Sequence, residues 1–138
     1  MIGEVTPEEA AEILRRDRDA VYLDVRCEAE FAAGHPEGAY NVPIFFFDAA
    51  HRASPNPDFV DVVATTFPRQ KTLLLGCQSG VRSMRAAEIL AGHGWVDVAN
   101  VAGGFGGSPF ARGWRDSGLP VASGAPAGRS YAELANKR

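Results

Sequence analysis

The chain has 138 residues, 46% of them hydrophobic and 22% charged, with a formal net charge of −3. That length supports a buried core that needs no metal or disulfide staple, and the composition excludes wholesale disorder. The charge argues against a dedicated nucleic-acid binder and no apolar run reaches membrane-span length; the two cysteines are too few for a disulfide scaffold.

In chain order, residues 2–5 read as a short strand. Thr6-Pro7-Glu8-Glu9 is a helix start, with Thr6 as cap, Pro7 at the first helical position and Glu9 completing a capping box. Ala10, Ile13 and Leu14 give that helix its apolar face, and Arg15, Arg16 and Arg18 suit the negative end of its dipole. Residues 20–25 are a buried-strand run, and residues 28–33 a short helix stopped by Gly34. Residues 39–44 predict another strand, which Phe45-Phe46-Phe47 carries into a loop. Three adjacent phenylalanines cannot share one face of a strand, so core packing and a groove or partner surface are both open.

Residues 51–57 read as loop and 58–67 as a helix with Phe59, Val62, Val63 and Phe67 on one face. A strand over 71–76, a helix over 83–91 and a strand over 96–101 follow. Residues 103–107 form a glycine-rich turn, and 109–116 predict a last helix. Alternating strands and helices imply an α/β domain, with a mainly parallel central sheet flanked by helices on both faces. The domain is expected over 1–121 and a tail over 122–138. In the tail a linker-like stretch precedes Ser130 and Glu133, a second capping-box pair, with Tyr131, Leu134 and Ala135 as an apolar face; a docked helix and a frayed end are both open.

The chemistry concentrates after the 71–76 strand, in Gly76-Cys77-Gln78-Ser79-Gly80-Val81-Arg82-Ser83. Ligands in open α/β sheets bind at the carboxyl ends of strands, where Cys77 falls. Gly80 lets the loop turn amides toward the sulfur, the following helix adds its positive end, and Arg82 adds a full charge. All three favour thiolate over thiol and make Cys77 the candidate nucleophile. A buried structural thiol is the bland alternative. Cys27 follows another strand end, so a resolving disulfide with Cys77 and an unpaired structural thiol are both open. No His/Cys cluster has metal-ligand spacing, and residues 103–107 do not spell a dinucleotide fingerprint, so neither metal nor other cofactor is implied.

Several ordered motifs resemble the single-domain rhodanese sulfurtransferases across residues 3–121. They are Leu23-Asp24-Val25-Arg26, Glu30-Phe31, Gly34-His35 and Gly38-Ala39-Tyr40-Asn41-Val42-Pro43, then the Cys77–Ser83 loop, then Gly103-Gly104-Phe105, Trp114 and Gly118-Leu119-Pro120-Val121. The resemblance implies that Cys77 takes the outer sulfur of a small anionic donor such as thiosulfate, holds it as a persulfide, and gives it to cyanide or a thiol. Residues Gln78, Ser79, Gly80, Val81 and Arg82 would cradle that sulfur, with Arg82 and the Ser79 and Ser83 hydroxyls holding the donor's oxygens. Asp24, Arg26, Glu30 and His35 would form a polar network beside the site, Asp24 pairing with Arg26; a proton-transfer role for His35 is the alternative. Phosphatases with cysteine loops place one more residue between Cys and Arg, so this tighter loop suits sulfur better than phosphate. Pro36-Glu37 and the long 106–113 segment depart from the family pattern at a local turn and at the pocket rim, and the neutral Gln78 leaves the donor open. A persulfide carrier serving a protein acceptor is the competing function. Neither nucleic acid nor membrane is an expected partner, and the opening Met-Ile-Gly-Glu-Val lacks a secretory layout, so a cytoplasmic location is expected.

Overall fold

The computed structural model describes residues 2–137. Its elements are β1 (Gly3–Val5), α1 (Pro7–Arg16), β2 (Val21–Asp24), α2 (Glu28–Ala33), β3 (His35–Pro36), β4 (Tyr40–Asn41), β5 (Phe45–Phe47), β6 (Ala53–Pro55), α3 (Phe59–Thr66), β7 (Leu73–Gly76), α4 (Val81–Gly92), β8 (Val98–Val101), β9 (Val121–Ala122) and α5 (Tyr131–Asn136), with a 3-10 turn at Arg115–Ser117.

The central sheet runs β1-β8-β7-β2-β4, and every pairing in it is parallel. The central strand β7 and its neighbour β2 are buried along their whole length, so both faces must be covered by apolar groups. Strand periodicity divides the core accordingly. Val21, Leu23, Leu73 and Leu75 pack with Val62 of α3, Leu90 of α4 and Leu134 of α5. Tyr22 and Leu74 point the other way, onto Ala10 and Ala11 of α1, Phe31 of α2 and Trp114. The expected α/β architecture is therefore present, with helices on both faces.

Local signals explain several boundaries. The α1 capping box forms in full: Thr6 Oγ1 accepts from the Glu9 amide at 3.1 Å and Glu9 Oε1 accepts from the Thr6 amide at 2.8 Å. The expected 39–44 strand shortens to Tyr40–Asn41, because Pro43 has no amide to give the ladder. The chain still follows β2 beyond it, through Val42 N–H to Asp24 O and Ile44 N–H to Val25 O, both at 3.1 Å.

Three expectations are corrected. Phe45–Phe47 is not a lead into a loop: it pairs antiparallel with Ala53–Pro55 as a separate hairpin. The 109–116 segment is not a helix, since the Trp114 and Arg115 amides return to the carbonyls of Gly104 and Phe105 instead of to the preceding turn. Helix α4 starts at Val81, two residues before the expected start, because Gly80 takes the left-handed cap position itself. At the carboxyl end, Leu134 is buried in the core, and the Arg129 carbonyl accepts from the Asn41 amide at 2.9 Å. Among the described residues, no helix is long and apolar enough to cross a membrane.

Candidate active site

Parallel pairing brings the carboxyl ends of β2, β7 and β8 to one edge. Asp24 lies in register with Gly76, and Leu75 with Asn100. The segments that leave this edge are 25–27, the 77–80 loop and the 102–107 turn, and together they build the site.

Cys77 follows β7 directly and is only 1% exposed. Its Sγ accepts from the Gly80 N–H at 3.1 Å and lies 3.4 Å from Ser83 Oγ. Three carbonyls of the 77–80 loop are engaged by groups other than the sulfur. Cys77 O accepts from Phe105 N–H at 2.7 Å, Gln78 O from Gly106 N–H at 2.9 Å, and Gly80 O from Asn100 Nδ2 at 3.1 Å. Two glycines make this bend possible. Gly80 has φ +105°, which a side chain resists, and a Cβ on Gly104 would lie 2.3 Å from Cys77 O.

Arg82 is engaged differently from the expectation. Its guanidinium forks onto Glu30, Nη1 to Oε1 at 2.8 Å and Nη2 to Oε2 at 2.9 Å. Burial works to raise the Glu30 carboxyl, but the Arg82 hydrogen bonds and charge outweigh it, helped by Cys27, and hold it at about 2. Arg82 also lies 5.8 Å from the centre of the half-exposed Phe47 ring. Ser83 has no exposed surface and sets its hydroxyl 2.5 Å from Asn100 Oδ1. The structure thus gives both side chains protein partners. Ser79 is half-buried, and Val81 is largely exposed at the start of α4.

The Asp24–Arg26 pair forms, buried, with Arg26 Nη2 2.6 Å from Asp24 Oδ2 and 2.7 Å from Gly34 O. Arg26 Nη1 reaches Gln78 Oε1 at 3.3 Å, tying this pair to the loop. The rest of the expected network does not assemble around it. Glu30 goes to Arg82. His35 is fully buried and donates from Nδ1 to Phe31 O at 2.7 Å, its ring stacked on Phe31 at 3.8 Å. That geometry makes His35 a fastener at the end of α2. Cys27 occupies the cap position of α2, where burial pushes its thiol up and the Glu30 carboxylate adds to the effect. Both cysteines are free.

Two participants lay outside the expected set. Arg115 lines a cleft beside the loop with Arg26, Glu30, Gln78 and Phe105, its guanidinium 5.6 Å from the Phe105 ring centre. Asn100 is 1% exposed in β8 and bonds to the loop. An asparagine inside the apolar run Val98-Ala99-Asn100-Val101 is itself a signal, because a buried amide needs partners. Among the described residues, no cluster of three His, Cys, Asp or Glu is placed to hold a metal ion.

The sequence matches the rhodanese-like domain family over residues 6–107. The chain belongs to that family. Thiosulfate sulfurtransferase 16, chloroplastic, of Arabidopsis thaliana is 39% identical over 100 residues, which are 72% of this chain and 78% of that protein. The senescence-associated protein DIN1 of Raphanus sativus is 36% identical over 100 residues, again 72% of this chain but 51% of that protein, so the chain spans about half its length. Among solved structures, Rv0390 from M. tuberculosis superposes with a TM-score of 0.74 at 32% identity, covering 88% of this chain and 98% of the other.

Proposed function

We propose that this protein is a sulfurtransferase that carries a sulfane sulfur on Cys77. The observation that carries this reading is the orientation of the 77–80 loop: carbonyls of Cys77, Gln78 and Gly80 are held by other groups while the Gly80 amide faces the sulfur. Such a bend stabilises negative charge on sulfur, as an oxyanion hole does on oxygen.

In the first half-reaction the Cys77 thiolate attacks the outer sulfur of thiosulfate. A Cys77 S–S bond forms, the donor S–S bond breaks, and sulfite leaves with the electron pair. In the second, cyanide or a thiolate attacks the outer sulfur and Cys77 leaves as thiolate. Two displacements at one nucleophile give ping-pong kinetics. The second half-reaction takes place one S–S bond, about 2 Å, beyond the buried Cys77 sulfur, whereas the first requires the donor's outer sulfur to reach Sγ itself. With Arg82 forked onto Glu30, the less tightly paired guanidinium beside the loop is Arg115, whose nearest carboxylate contact is Asp116 at 3.9 Å; it would receive an anionic donor. Cys77 must return to a free thiolate after each turnover, which fits a reducing compartment such as the cytoplasm.

The test is thiocyanate formation from thiosulfate and cyanide, with mass spectrometry of Cys77 for the gain of one sulfur. Turnover that disappears in Cys77→Ala supports the reading. Failure with thiosulfate, 3-mercaptopyruvate and glutathione persulfide alike would sink it in favour of a carrier. One observation favours a protein acceptor in either case: Val81 at 75% and Phe47 at 43% exposure put apolar surface beside the loop.

A further inference from the structure

Asn100 makes three hydrogen bonds, two of them to the Cys77 loop and the helix start that follows it. Its Nδ2 donates to Gly80 O and to Glu4 Oε2, both at 3.1 Å, and its Oδ1 lies 2.5 Å from Ser83 Oγ. Both groups facing Nδ2 are pure acceptors, so the amide has one workable orientation. Oδ1 has no proton to give, and the single Ser83 proton must therefore lie on the Asn100 side. A Ser83 lone pair is then what faces Cys77 Sγ at 3.4 Å. It can accept from an S–H and gives nothing to a thiolate. The donor left to the sulfur is the Gly80 N–H at 3.1 Å, and Gly80 is the residue whose carbonyl Asn100 grips. Held there, Gly80 keeps the φ +105°, ψ −3° conformation that turns its amide to the sulfur.

We infer that Asn100 is a positioning residue for Cys77: through Gly80 it aims the amide that meets the sulfur, and through Ser83 it withholds a hydroxyl proton from it. The inference rests on the reading of Cys77 as the sulfur-carrying nucleophile and names a residue that acts through two others. The charged and titratable groups around this pocket include Glu4 of β1 beyond Asn100, Arg82 with Glu30 and Cys27 across the loop, Arg26 with Asp24 and Arg115 on the Gln78 side, and Tyr22 of β2 below it. The variants below leave all of them in place.

The experiment is the pH profile of iodoacetamide alkylation, followed on the Cys77 peptide by mass spectrometry in the full chain. Ser83→Ala leaves the Asn100–Gly80 bond intact and removes the acceptor for the thiol proton, so the profile's midpoint should stay or move to lower pH. Adding Asn100→Ala to Ser83→Ala frees Gly80 without leaving a hydroxyl to substitute. Relative to Ser83→Ala, the midpoint should rise by about one pH unit, the tenfold loss expected for a hydrogen bond to a charged group. Turnover should fall about tenfold, with the donor KM within about twofold. A rise in Ser83→Ala alone would show the hydroxyl donating to the thiolate and would overturn the inference. So would an unmoved midpoint in the folded double variant, which is what a merely structural asparagine gives. If the double variant does not fold, the direction of the Ser83→Ala shift still decides. Alkylation needs no sulfur donor, so the result stands apart from any failure of turnover that would sink the sulfurtransferase reading.

Discussion

Strands β2 and β7 are neighbours that end alike: each is a buried run leading to a cysteine and then a helix. After β2 the turn is filled by the Arg26 guanidinium, which takes Asp24 and the Gly34 carbonyl, and Cys27 is left as a helix cap beside the Glu30 carboxylate. After β7 the turn is backbone, with carbonyls drawn off by the 104–106 segment and Asn100, and with an amide on the sulfur. A place at the carboxyl edge is thus shared by both thiols. What separates them is the balance of groups that meet each sulfur: at Cys27 burial and the Glu30 carboxylate outweigh the amides of Glu30 and Ala29, whereas at Cys77 the Gly80 amide meets the sulfur with no carboxylate among the described residues bonded to it.

The sharpest way to break that contrast is to remove each thiol in turn. Cys77→Ala should abolish thiocyanate formation, whereas Cys27→Ser should leave it within about twofold, since an isosteric cap keeps α2 in place. An equal loss in both variants would mean that the two strand ends work as a pair. Next in size is the guanidinium of each end. Arg26 is 3% exposed and its partner Asp24 1%, so Arg26→Met strands a buried carboxylate and should cost about 3–5 kcal/mol in urea unfolding. Arg82 and Glu30 are 21% and 32% exposed, and Arg82→Met should cost about 1 kcal/mol or less. Similar costs would show that the difference in burial does not separate the two arginine pairs.

Much of this frame is legible in the sequence, and particular residues show where legibility ends. The capping box of α1 and the apolar runs of β2 and β7 depend on neighbours a few positions apart, so local spacing reveals them, whereas the Asp24–Arg26 pair is implied by the family resemblance. The Arg82–Glu30 fork joins residues 52 positions apart, and the Asn100–Gly80 bond depends on the register of β7 with β8. Neither follows from spacing, although an asparagine buried in a strand announces that it has partners. The β5–β6 hairpin is hidden for a different reason. Phe45-Phe46-Phe47 has no polar alternation and Ala53-Ser54-Pro55 has weak strand propensity, so pairing is imposed by the surroundings.

A smaller effect is expected at the bend itself. Gly80→Ala must place a Cβ at φ +105°, 3.3 Å from the Gly103 amide nitrogen. Holding a side chain in the left-handed region costs about 1–2 kcal/mol, to be read as a lowered urea midpoint. If the chain relieves the strain by rotating the Gly80 peptide, sulfur transfer falls about tenfold as the amide leaves the sulfur. Full activity at reduced stability would show that the bend, and not its one amide, distinguishes β7 from β2.

The smallest effect belongs to Glu30, where the two strand ends meet. Its carboxyl stands at about 2 in the folded protein against an ordinary 4.5, because Arg82 outweighs burial. A depressed carboxylate stabilises the folded state above its unfolded pKa, and that stability is lost as pH falls through the folded one. The window therefore runs from about 4.5 down to about 2. Glu30→Gln removes the titrating group, so its unfolding free energy should fall less steeply with acid across this window than that of the wild type. The pair is partly open to solvent, which screens it, and the difference should be about 1 kcal/mol or less. Parallel acid-unfolding curves for the two proteins would show that the Arg82–Glu30 fork adds no stability and that the two strand ends are held independently.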